Sequence, residues 1–172
     1  MLSQKMQDAL NEQINAEMYS SYLYLSMSAY FDSQNLKGCA QWMLVQSQEE
    51  TVHAMKLFNY VQERGGRVTL KAIDAPATEW DSVLAAFEGA YAHEQKVTAL
   101  INDLVTLAQA EKDYAANAML QWFVEEQVEE EASVDEVVQK LKLVADAPGG
   151  LFMIDRELGA RSGGASASDE GE

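Results

Sequence analysis

The chain is poor in the residues that usually break or brace a fold. Two prolines in 172 residues leave long helices uninterrupted. The single cysteine, Cys39, excludes an internal disulfide and any Cys-x-x-Cys metal knuckle, and is expected to be a small buried or half-buried residue rather than a nucleophile. Only two histidines occur, His53 and His93, and neither suggests a Ser/His/Asp or Cys/His arrangement. Positive charge is scarce. Twelve Lys and Arg stand against 28 Asp and Glu, a formal net charge of −16. That balance argues against nucleic acid, which attracts basic surfaces, and suits either the handling of cations or plain solubility. Long apolar runs are missing too. The longest uncharged stretch, residues 18–31, is too short to span a bilayer and is laced with serine and tyrosine. No basic segment followed by an apolar run opens the sequence, so no signal peptide is expected, and the chain reads as soluble and cytoplasmic.

What is present is helical periodicity. The length suits one domain, and four long segments carry an apolar stripe with steps of three and four. The first spans about residues 3–31, with Leu10, Ile14, Tyr24 and Phe31 on one face. A polar break at 32–35 suits a tight connection and a new N-cap. The second, about residues 36–64, reads Leu36, Ala40, Met43, Ser47, Glu50, Ala54, Leu57, Val61, and Gly65-Gly66 stops it. Residues 65–79 have no helical pattern, and a link of that length can carry the chain back along a bundle, making helices two and three parallel. The third, about 80–109, runs Trp80, Leu84, Phe87, Tyr91, Glu94, Thr98, Ile101, Val105, Ala108. The fourth, about 113–145, runs Ala116, Leu120, Phe123, Gln127, Glu130, Val134, Val137, Leu141, Val144. After a Pro-Gly-Gly break, 151–158 can form a short fifth helix. The expected fold is all-α: a four-helix bundle with one long crossover between helices two and three, plus a short fifth C-terminal helix. The domain is expected to span 1–158, and the Gly/Ser/Ala-rich acidic tail 159–172 to be disordered.

Each stripe is interrupted near its middle by a glutamate: Glu17, Glu50, Glu94 and Glu130. Residues at helix centres meet at one level of a bundle whichever way each helix runs. His53, three residues after Glu50, shares its face. A lone glutamate on an apolar stripe ordinarily snorkels to water. Four at one height, with no lysine or arginine on the interior stripes, would repel and desolvate at about several kcal/mol each. Two divalent cations would balance them, and carboxylates plus an imidazole are suitable ligands. A dinuclear metal site is therefore expected.

Other residues carry less. By spacing, Glu49, Glu126 and Glu129 are ordinary solvated charges that could supply a further, more exposed cation site. Tyr24 can hydrogen-bond a ligand, take part in electron transfer, or simply pack. Packing is the expectation for Trp122. His93 lies about 100° around the helix from Glu94 and is expected to point away.

Glu17, the Glu49-Glu50-x-x-His53 stretch, His93-Glu94 and Gln-Trp-Phe-Val-Glu-Glu-Gln-Val-Glu-Glu-Glu at 121–131, in this order and spacing, resemble the bacterial non-haem ferritins over about residues 1–158. The resemblance implies the ferritin-like fold, iron as the metal, and an iron-storage protein built as a hollow homo-oligomeric shell of 24 subunits. It implies a ferroxidase centre that oxidises Fe(II) with dioxygen and passes Fe(III) to a mineral in the cavity. Position by position, Glu17, Glu50 and His53 would bind one iron, and Glu50, Glu94 and Glu130 the second, with Glu50 bridging and Gln127 nearby. Glu49, Glu126, Glu129 and Glu130 would hold a third iron, and Tyr24 and Trp122 would be the aromatic residues beside the centre. The fifth helix would line the four-fold axis.

Departures from related families narrow the expectation. Bacterioferritins and rubrerythrins carry a second Glu-x-x-His on the fourth helix, where this chain has Gln127-x-x-Glu130. The haem-binding methionine of bacterioferritins matches Val52, so no haem is expected, and one cysteine cannot build the iron domain of rubrerythrins. No nucleic acid and no membrane are expected as partners. Two rivals remain open at this point: a di-iron oxygenase or peroxidase without storage, and a helical scaffold with a vestigial site.

Overall fold

The computed structural model describes residues 2–145 and 147–162, all of it helix and connection. Four long helices, α1 (Gln4–Ser33), α2 (Lys37–Glu63), α3 (Val83–Ala110) and α4 (Tyr114–Leu143), are followed by the short α5 (Gly150–Leu158). Side chains cap three of the four long helices. Ser3, Ser82 and Asp113 each accept a backbone N–H from the first turn of α1, α3 and α4. The 32–35 break works differently from expectation. Asp32 and Ser33 belong to α1, Asn35 turns the chain at φ 60, and Leu36 starts α2 without a side-chain cap. Asparagine tolerates that left-handed conformation, so the turn needs no glycine. At the far end of α2, Gly65 takes φ 70 and the Gly66 N–H bonds back to the Val61 carbonyl, which stops the helix.

The long connection from α2 to α3 runs the length of α1 without regular secondary structure. Side chains of α1 satisfy its backbone: Asn11 takes the Thr69 N–H and donates to the Arg67 carbonyl, Asn15 donates to Ala72, Ser26 to Ala77 and Tyr30 to Trp80. The register rises steadily from Asn11 to Tyr30, so the chain is carried from one end of the bundle to the other and α3 runs parallel to α2. Trp80, expected on the third helix, ends this crossover instead. Its ring sits 5.1 Å from that of Tyr30, and Ser82 opens α3 two residues later. No helix among the described residues is long and apolar enough to cross a membrane.

Two apolar clusters fill the bundle. One gathers Met27, Phe31, Met43, Phe87 and Val137; the other Leu10, Leu57, Ile101, Leu120 and Phe123. The α1, α2 and α4 stripes are buried as read from the sequence except at two ends, where Leu36 and Val144 cap α2 and α4 and are only half-buried. On α3 the stripe drifts. Ala90, Val97 and Leu104 are buried, whereas Tyr91, Thr98 and Val105 are only half-buried. Between the clusters lies a polar layer. Of the tail expected after residue 158, residues 159–162 are described, with Arg161 set against α2, and 163–172 lie outside the described residues.

Candidate metal centre

All four mid-stripe glutamates reach this layer. Glu17, Glu50 and Glu94 are 1% exposed and Glu130 5%, beside His53 at 3%. Oxygens of Glu17 and Glu50 and a ring nitrogen of His53 lie within 4.8 Å of one another, close enough for one metal ion. A second set of the same size joins His53 to Glu126 and Glu130. Glu94 is in neither set. Its carboxylate accepts the buried Tyr24 hydroxyl on one oxygen and the Gln127 amide on the other at 3.2 Å. Tyr24 and Gln127 therefore both meet the layer through Glu94, and Gln127 also donates to the Glu94 carbonyl and to Thr98.

Two glutamines not singled out in the sequence hold the acids in place. Gln13 donates to Glu17 at 2.9 Å. Gln46, fully buried, donates to Glu50 at 3.2 Å and to Glu130 at 2.6 Å, joining two helices through one amide. Both lie one turn before a buried glutamate on their own helix, and that i, i+4 relation is the signal that could have found them. One carboxylate oxygen is left over: Oε2 of Glu17 is buried with no hydrogen-bond partner. An unpaired buried acceptor among carboxylates fits a site for a cation.

The outer acids differ. Glu126 faces His53 at 3.7 Å, and Glu49 pairs with Arg161 at 2.5 Å, both side chains about a quarter exposed. Glu129 is exposed and makes no ion pair or hydrogen bond among the described residues. Trp122 makes a T-shaped pair with the His53 ring, ring centres 5.4 Å apart, and is half-buried, with Lys56 over its face. His93 does turn from the acids, yet not into water. It lies half-buried beside Tyr19 and Tyr24 with Nε2 2.8 Å from the Ser20 hydroxyl, and burial lowers its proton affinity.

Protonation divides the layer. Burial, reinforced by the charge of Glu50, pushes the Glu17 carboxyl up to about 8. Burial and the same charge bring Glu130 to about 7 and hold Glu94 well above the carboxylate range. Burial works against ionisation of Glu50 as well, but the His53 hydrogen bond and charge win and keep it below its usual value. For His53, burial opposes the charged ring, yet hydrogen bonds to Glu126 and Glu50 raise it to about 11. Without a metal the layer thus holds a charged His53 between Glu50 and Glu126, among the acids Glu17, Glu94 and Glu130 that burial pushes toward their protonated forms. A cation taking these ligands must expel the protons, and the exchange is chemically matched because deprotonated oxygens are what a hard divalent ion needs.

A family model described as a ferritin-like domain matches residues 7–144. The chain is 48% identical over 161 residues to a protein of Bacteroides fragilis named bacterial non-heme ferritin, covering 94% of this chain and 100% of that one. It is 40% identical over 162 residues to a protein of the same name from Staphylococcus saprophyticus, covering 94% and 97%. Among solved structures, an open-pore ferritin of the hyperthermophilic archaeon Archaeoglobus fulgidus matches with a TM-score of 0.93 and 56% identity, covering 94% of this chain and 100% of that one.

Proposed function

Because the chain belongs to the ferritin-like domain family, we propose that it stores iron and is a ferroxidase, taking Fe(II) and dioxygen as substrates. The observation that carries this reading is that each long helix brings a buried glutamate to one layer beside His53, with no fully buried lysine or arginine among the described residues. Glu17, Glu50 and His53 take one Fe(II). Glu50, Glu94 and Glu130 take the other, with Glu50 shared. Each Fe(II) gives up one electron, dioxygen accepts the pair with two protons, and Fe(III) passes to a mineral enclosed by the oligomer. The residues' own work is to supply negative charge where the ions sit, to yield protons as the ions bind, and to keep the ligands aimed.

Gln13, Gln46 and Gln127 do the aiming, because an amide donor fixes a carboxylate oxygen without adding a charge. Tyr24, hydrogen-bonded to Glu94, holds that carboxylate from the apolar side. The outer acids Glu49, Glu126 and Glu129 are assigned to a third iron.

Anaerobic titration with Fe(II), followed by rapid mixing with oxygen, tests the reading. Two ions per chain should bind before oxygen and be oxidised together. Size-exclusion chromatography should place the 19.0 kDa chain in a shell of 24 copies, about 450 kDa. A small oligomer that oxidises an added organic substrate would favour an oxygenase, and the absence of oxygen uptake would sink the ferroxidase.

A further inference from the structure

Arg161 follows α5 in sequence but belongs to the metal layer in space. Its guanidinium lies 4.3 Å over the Trp42 ring, donates through Nη1 to the Gln46 carbonyl oxygen at 3.0 Å and through Nη2 to Glu49 at 2.5 Å. The side chain is 21% exposed, so all three contacts sit at the edge of the buried cluster. Each does something different. The indole face orients the planar cation. Gln46 has one carbonyl oxygen and one amino group, and giving the oxygen to Arg161 turns the amino group inward to Glu50 and Glu130. Glu49, on the rim beside Glu126, has Arg161 as its ion-pair partner among the described residues.

We propose that Arg161 is a tethered cation that occupies Glu49 until a divalent ion displaces it, so that filling of the outer carboxylates releases the C-terminal turn and Gln46 together. This rests on the reading of the layer as a metal centre and adds to it an order of filling. A metal ion and a guanidinium compete for the same carboxylate, whereas the inner ligands pair with no cation other than the His53 ring among the described residues. The inner pair therefore fills first and the rim last. Once Arg161 leaves, the Gln46 carbonyl loses its donor and the amide is free to turn, loosening Glu50 and Glu130. By reciprocity, ions held firmly inside keep the rim weak.

Zn(II), which carries the charge without the redox chemistry, is the probe. It would be titrated calorimetrically into the assembled protein and into R161A, R161K and E49Q variants. In the native protein two ions per chain should bind tightly and a third weakly. Removing the tethered charge in R161A should tighten the third by about tenfold, because a competing positive charge within contact distance of Glu49 is gone. R161K, which keeps a cation on the tether, should stay close to the native value, and adding E49Q to R161A should abolish the gain.

Hydrogen exchange supplies a second measurement. The amides of Gly159, Ala160 and Arg161, which bond back to Asp155, Glu157 and Leu158, should exchange faster once the third ion is bound. A third affinity unchanged in R161A, or amides that stay protected with the third ion in place, overturns the tethered-cation proposal while the two tight ions remain. Loss of the two tight ions in the native protein would instead overturn the metal centre itself.

Discussion

The apolar ends of the bundle and its polar middle obey opposite rules. At the ends, Phe87 stacks on Phe31 with ring centres 5.7 Å apart and meets Trp42 in a T-shaped pair with ring centres 5.4 Å apart, so every neighbour gains from contact. In the middle, Glu17, Glu94 and Glu130 are pushed toward their protonated forms by the same burial, and one oxygen of Glu17 has no hydrogen-bond partner among the described residues. The ends therefore stabilise a fold that the middle strains. The lesson is a division of labour: affinity for a cation is strain left in place by folding and relieved on binding.

The contrast is broken most forcefully from the apolar side. Phe87→Ala opens a cavity in a fully buried cluster and should cost about 3–5 kcal/mol, read as a lower denaturant midpoint. Fe(II) oxidation below the melting range should survive, since Phe87 touches no ligand. In the middle the pattern inverts. Glu50→Ala removes the shared carboxylate and should slow oxidation by on the order of 100-fold, above the effect of losing a residue that merely orients a ligand, with a smaller change in melting than Phe87→Ala. Rapid oxidation in Glu50→Ala would dissolve the distinction.

The subtlest test is pH. Glu17 at about 8 and Glu130 at about 7 bind protons in the folded state that an unfolded carboxyl near its ordinary 4.5 releases. Metal-free stability from these groups therefore falls as pH rises from 4.5 toward 8. His53, raised to about 11 from 6.5, contributes stability that is complete below 6.5 and lost as pH climbs through 11, which acts in the same direction. The metal-free protein should melt lower at pH 8 than at pH 6. Glu17→Gln should flatten the slope and Zn(II) should reverse it; a melting temperature indifferent to pH would show that the middle is not strained.

Much of this was legible in the sequence because helices of nearly thirty residues repeat their signal many times. The α4 stripe was readable from Ala116 to Leu141, and the four glutamates stood out because each broke an apolar stripe at mid-length. The α3 stripe drifted because alanines and a threonine give a weak contrast between faces, so Ala90, Val97 and Leu104 were passed over. Trp80 was drawn into a helix by its apolar spacing, although its place is set by Tyr30, fifty residues away. Gln46 is not singled out by the sequence pattern, and Arg161 falls within the expected tail 159–172. Their roles depend on which helices touch, and periodicity within one helix does not report that.

Gly38 gives these contacts a scale. A Cβ there would stand 1.5 Å from the Asp155 carbonyl oxygen, so only glycine lets α5 lie against the first turn of α2, where Asp155 also takes the Cys39 N–H at 2.9 Å. Along α2 the next positions on that side are Trp42, Gln46 and Glu49, the three residues that Arg161 touches. Helix α2 thus works as a ruler whose zero mark is an absent side chain. Measured from it, the guanidinium reaches a carboxylate eleven residues, about 16 Å, down the rod. Any residue other than glycine at 38 would slide the scale and move the charge off its mark, without touching a single ligand.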